Sequence, residues 1–169
     1  STLQPVAASE LPGVIRVIPN NRKDHLVSDL LQQPEHEFDV EPVARRPLPG
    51  LRQRTRAFIK AQDGCDNKCT FCITTLARGE GVSRPSADVL ADIRAALLGA
   101  AHEIVLTGVH LGAWGLDIES RLSTLIKRIL EETDTPRLRL SSLEPWDLDE
   151  EFFTLWKNPR LCPHLHLPI

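Results

Sequence analysis

The chain has 169 residues, 41% hydrophobic and 25% charged, with four Cys, no Met, no Tyr and a formal net charge of −3. This composition excludes collagen-like, low-complexity and wholly disordered chains, and four Cys are too few for a disulfide scaffold. No apolar run is long enough to span a bilayer and no signal-peptide pattern opens the chain, so a cytoplasmic protein with no membrane partner is expected.

In chain order, the β-branched run Val14-Ile15-Arg16-Val17-Ile18 predicts a strand bounded by Pro12-Gly13 and Pro19-Asn20-Asn21. Asp24 can cap a short helix carrying Leu26, Leu30 and Leu31. Residues 29–41 then hold acids with no Lys or Arg, and 42–56 hold Arg45, Arg46, Arg52, Arg54 and Arg56 with no acid. With Pro42, Pro47, Pro49 and Gly50 in the same stretch, residues 33–54 read as a linker. Its arginines are either solvated or in contact with phosphate. Residues 1–32 are too few for a core of their own and read as the tail of an α/β domain.

A repeating order follows. Ala57–Ala61 reads as a strand, 62–85 as a long aperiodic loop, and Ser86 as the cap of a helix bearing Val89, Leu90, Ile93, Leu97 and Leu98 up to Gly99. Glu103–Thr107 reads as the next strand. Leu122, Leu125, Ile126, Ile129 and Leu130 form one helical stripe. Arg137–Ser141 alternates as a strand, Asp149 opens a helix with Phe152, Phe153 and Trp156, and His164–Leu167 alternates again. This order predicts an α/β fold with parallel strands joined by helices: about three βα units plus a fourth strand, over 55–169. Chemistry in such folds gathers at the C-terminal ends of the strands. Gln62-Asp63-Gly64-Cys65, Gly108-Val109-His110-Leu111-Gly112 and Ser142-Leu143-Glu144-Pro145 all fall at that end.

Cys65, Cys69 and Cys72 form C-x3-C-x2-C within the long loop. Three soft thiolates this close can converge on zinc or an iron–sulfur cluster. Three ligands leave one position of a four-ligand centre open, as catalysis needs and a structural site avoids. The alternatives are a thioredoxin-type pair at Cys69 and Cys72, structural zinc with Cys162 or a His as fourth ligand, and three unliganded thiols.

With Phe71 as the aromatic before the third Cys, the segment resembles the radical S-adenosylmethionine (SAM) superfamily. Gln62-Asp63-Gly64-Cys65, Ala77-Arg78-Gly79 and Ser83-Arg84-Pro85 narrow the resemblance to the methylthiotransferases. Thr107–Gly112, Ser141–Pro145 and Leu161–Pro168 are similar to the branch acting on threonylcarbamoyladenosine beside the tRNA anticodon. The resemblance implies a partial (β/α) barrel of the radical SAM type. It implies a [4Fe–4S] cluster on Cys65, Cys69 and Cys72, whose open iron holds SAM and splits it to a radical that prepares C2 of the base for a methylthio group. It places Phe71 near the adenine, Thr107 and Gly108 at the amino-acid end of SAM, and Ser142 and Glu144 on its polar groups. An ion pair at the strand end is the other reading of Glu144. The resemblance gives no catalytic side chain beyond these. Its partners would be the tRNA anticodon loop and an electron-donor protein.

Full members of the family carry three further Cys that bind a second [4Fe–4S] cluster, whereas no Cys precedes residue 65 here. The absent Met agrees with an internal piece of a longer enzyme, inactive by itself, both of whose ends lie inside larger domains. Isopentenyladenosine in tRNA or a ribosomal-protein aspartate are alternative substrates, and a non-catalytic metal-binding module is the alternative of another class. Arg78 and Arg84 are either anion contacts or solvated. His110, His164, His166, Cys162 and Trp114 read mainly as structural.

Overall fold

The computed structural model describes residues 11–18, 22, 25–32, 34 and 55–167. The chain divides into two compact units, Ser1–Asp39 and Val40–Ile169.

In the first unit a helix, α1 (Leu26–Leu31), forms where expected and buries none of its residues. Its cap position is His25, without a side-chain bond; Asp24, expected to cap it, lies outside the described residues. The expected strand at 14–18 does not form. Ile15 is 95% exposed and no partner strand meets this run among the described residues. β-branched residues favour a strand only when a neighbour accepts the ladder. Apart from residue 34, the linker, with Arg45, Arg46, Arg52 and Arg54, falls outside the described residues.

In the second unit, β1 (Arg56–Lys60), β4 (Glu103–Thr107) and β5 (Leu138–Leu140) make a parallel sheet in the order β1-β4-β5. Two helices, α3 (Ser86–Leu98) and α4 (Leu122–Glu132), join them. Ala57 and Ile59 align with Ile104 and Leu106, and these with Leu138 and Leu140. That face joins Val89, Leu90 and Ile93 of α3 and Leu125, Ile126 and Ile129 of α4 in one core. Each such side chain contributes about 1.5–3 kcal/mol by leaving water. The expected stripe of α4 is the observed buried face, whereas Leu98 of α3 is exposed.

Three local readings change. Ser86 is the first helical residue rather than the cap. Pro85 takes the cap position, and Ser86 Oγ accepts from Arg128 of α4 instead. The 62–85 loop contains a short antiparallel ladder, β2 (Gln62–Asp63) with β3 (Val82–Ser83), and a short helix, α2 (Thr74–Arg78). The expected fourth strand at 164–167 is reduced to parallel bridges Leu138–Leu161 and Ser142–His166. Between them His164 N donates to Cys162 O at 2.7 Å, a γ-turn centred on Pro163, which has no N–H to give a ladder. His164 and His166 are accordingly exposed rather than core residues. Asp149 caps α5 (Glu150–Phe153) as expected, accepting from Phe152 N at 2.7 Å.

The second face of the sheet is different. Phe58, aligned with Val105 and Arg139, is 64% exposed. At its lower edge buried Glu103 accepts from Arg139 at 2.7 Å and Arg137 at 3.1 Å and pairs with Arg56 at 3.0 Å. The Arg139 guanidinium, against the opposing effect of burial, holds the Glu103 carboxyl below its usual range. A signal for this cluster exists in the sequence. Glu103 opens an apolar strand, and a buried carboxylate needs partners that Arg137 and Arg139, two positions apart on one face, can supply.

Candidate functional site

The motif residues meet at the C-terminal edge of the parallel sheet. The cysteine loop leaves β1 through β2, residues 107–112 leave β4, and residues 142–147 leave β5.

The loop's entry is rigidly built. Gln62 is 1% exposed; its amide nitrogen donates to Asp63 O at 3.0 Å and Gly64 O at 2.9 Å. Asp63 accepts from Lys60 at 3.2 Å and Arg78 at 2.9 Å. Gly64 has φ +74, and a Cβ there would stand 1.9 Å from Glu80 O, so only glycine fits. Cys65 N donates to Gly79 O at 3.1 Å. Arg84 donates to Lys60 O at 2.6 Å and to Asp92 at 2.8 Å, so it ties β1 to α3.

Beyond this entry the chain turns outward. Cys65 is half-buried, Cys69 and Cys72 are exposed, and all three thiols are free. Phe71 is 93% exposed. The Thr74 hydroxyl at 3.1 Å, and then its backbone amide, hold the Cys72 thiol below its ordinary pKa. Among the described residues no three His, Cys, Asp or Glu side chains converge as a single metal-ion site. The donor set itself suits a soft, iron-rich centre: three free thiols on one short loop, two open to solvent.

Thr107 O accepts from Ala61 N at 2.8 Å while its hydroxyl donates to Ile59 O at 3.2 Å, and Gly108 is half-buried. Ser142 is exposed, its Oγ 2.7 Å from His166 Nδ1. Glu144 O accepts from Asp147 N at 3.0 Å, and its carboxylate makes no ion pair among the described residues. Beside them Ser141 Oγ is buried without a partner, unlike any other buried side-chain polar atom among the described residues. An unsatisfied hydroxyl at a strand end suits a site for a polar ligand.

Other readings resolve as packing. Trp114 is 2% exposed and donates from Nε1 to Arg84 O at 3.0 Å, and Cys162 is 4% exposed. His110 is buried, and its Nε2 lies 2.9 Å from Asp147 Oδ2. Asp147 carries no local sequence signal, for it meets His110 across 37 positions.

No protein-family model matches the chain. It is 37% identical over 174 residues to the threonylcarbamoyladenosine tRNA methylthiotransferase MtaB of Thermotoga maritima, covering 99% of this chain and 40% of that protein. It is also 37% identical over 128 residues to the tRNA-2-methylthio-N(6)-dimethylallyladenosine synthase of Sphingopyxis alaskensis, covering 73% of this chain and 29% of that protein. In fold it is similar to the radical S-adenosylmethionine methyltransferase TsrM of Kitasatospora setae, solved with cobalamin and a [4Fe-4S] cluster bound. That match has TM-score 0.54 and 22% identity, over 66% of this chain and 22% of TsrM. The chain is thus homologous to methylthiotransferases over nearly its whole length and spans about two fifths of the length of the first of these relatives.

Proposed function

We propose that this chain, a homologue of the methylthiotransferases, is the part of a radical SAM tRNA methylthiotransferase that holds the SAM-cleaving [4Fe–4S] cluster. The observation that carries the proposal is the C-x3-C-x2-C loop at the C-terminal edge of a parallel α/β sheet, with all three thiols free. Cys65, Cys69 and Cys72 are the residues that would hold the cluster. When bound, the cluster supplies the electron that cleaves SAM. Thr107 and Gly108 present backbone groups to the amino-acid end of SAM, with Ser142 and Glu144 beside the ribose and ammonium and Phe71 against the adenine. Glu144 suits this role because its carboxylate is uncommitted to any described cation, and charge-assisted hydrogen bonds to an ammonium are strong.

Residues 55–169 form the first part of a (β/α) barrel, 33–54 a linker, and 1–32 the tail of the preceding domain, whose own cluster belongs to the longer enzyme. Phe58 and the Glu103–arginine cluster then face the barrel interior. Threonylcarbamoyladenosine beside the anticodon is the favoured substrate. The relative named for it aligns with 99% of the chain, against 73% for the dimethylallyladenosine enzyme. A tRNA anticodon loop and an electron-donor protein are the partners, in the cytoplasm. No helix among the described residues is long and apolar enough to cross a membrane.

The test is anaerobic reconstitution with ferrous iron and sulfide, followed by electron paramagnetic resonance of the reduced protein with and without SAM. About four irons and four sulfides per chain are expected, with a spectrum that changes when SAM binds the open iron. Stoichiometric zinc uptake with no iron would assign the loop to a non-catalytic module.

A further inference from the structure

We infer that His110 and Asp147 position the Cys65 thiol for metal binding, a role that rests on reading Cys65 as a cluster ligand. The carboxylate of Asp147 can only accept, so His110 Nε2–H donates to it at 2.9 Å. That bond fixes the ring with Nδ1 facing Cys65 Sγ at 4.0 Å; with the proton on Nε2, Nδ1 of the neutral ring is the acceptor for the Cys65 S–H, whose proton must leave when the thiol binds metal. The backbone of His110 is anchored separately, its N–H donating to Gln62 Oε1 at 2.8 Å. The other end of the Gln62 amide binds the carbonyl of Gly64, the residue before Cys65. Cys65 is therefore reached twice from His110, through the ring and through Gln62.

The backbone makes room for this link at two glycines. A Cβ at position 112 would lie 1.9 Å from Asp147 Oδ2, and avoiding it would pull the carboxylate off His110. A Cβ at position 108 would lie 2.9 Å from Leu111 Cα and 3.1 Å from Gln62 Oε1. One polar link thus joins the loops that follow all three strands, and it ends on Cys65. Cys69 and Cys72 are exposed, and the partner of Cys72 Sγ is its near neighbour Thr74 rather than a residue of another strand end. Groups behind a metal ligand fix its orientation, and losing them typically costs about 10–100-fold in metal affinity.

The experiment uses the 169-residue chain with His110→Phe, Asp147→Ala and Asp147→Asn. After reconstitution with iron and sulfide, the rate of iron loss to a chelator is followed, alongside the melting temperature of the metal-free chain. His110→Phe and Asp147→Ala are expected to lose iron about ten-fold faster than the parent. Asp147→Asn still offers an oxygen to Nε2–H and should stay within about two-fold of the parent. Unchanged loss in both disruptive variants, or loss that follows melting temperature with no rescue by Asp147→Asn, overturns the inference.

A second readout needs no metal: alkylation of each cysteine in the apo-chain, followed by mass spectrometry. Cys65 should react more slowly than Cys69 and Cys72, and Asp147→Ala should narrow that gap. An unchanged gap overturns the inference. If the parent chain takes up no iron, the proposed function fails while the alkylation pattern still judges the positioning.

Discussion

The helix-covered face of the sheet and the cysteine loop are built on opposite terms. Ile104, Leu106, Ile126 and Ile129 are fully buried, and the strands that carry the sheet are paired in register. Twelve residues past the end of β1, Cys72 is exposed and Phe71 is almost wholly so. The first region is stabilised by burial and needs no ligand. The second is buried only at its entry, up to the half-buried Cys65, and its tip with Cys69 and Cys72 lies open to an added group. Stability and metal binding should therefore separate when each region is mutated.

The largest stability effect belongs to the core. Ile126→Ala removes a fully buried side chain between α4 and the sheet, and about 2–5 kcal/mol should be lost in denaturant melts. Iron bound per folded chain should not change.

Next comes Glu103→Gln, which leaves the part-buried hydrogen bonds of Arg139 and Arg137 without their charged acceptor and should cost about 1–3 kcal/mol at neutral pH. The Glu103 carboxyl sits below its unfolded value in the folded chain, chiefly through Arg139. Its contribution is therefore complete above the ordinary carboxylate range and is lost as pH falls through the depressed value. Melts of parent and variant should converge in acid; a constant gap at all pH would break the assignment. Arg56 and Arg137 are more than half exposed on their side chains and should each matter less.

Cys162→Ala, in the core edge beside β5, should cost about 1 kcal/mol and leave iron binding intact. Cys69→Ala, fully on the loop, should barely move the melt yet abolish cluster retention. Reversal of these two results would reassign the ligand set.

The same contrast explains how much was legible in the sequence. Where local pattern and packing agree, the reading and the structure coincide. The apolar run 103–107 is β4, the stripe from Leu122 to Leu130 is the buried face of α4, and Asp149 is the cap of α5. Where a distant partner decides, local pattern misleads. Val14–Ile18 has strand residues but no neighbouring strand among the described residues, and His164–Leu167 alternates but follows a γ-turn at Pro163. Ser86 looks like a cap until Arg128 takes its hydroxyl. The cysteine spacing was readable because the three thiols lie within eight residues of one another. The His110–Asp147 support was not, because its members come from different strand ends.

Iron bound per chain after anaerobic reconstitution of the parent, Cys65→Ala, Cys69→Ala, Cys72→Ala and Cys162→Ala tests the central claim most directly. About four irons are expected for the parent and Cys162→Ala, and none retained by the other three. Equal loss in Cys162→Ala, or undiminished iron in any of the three loop variants, would contradict it.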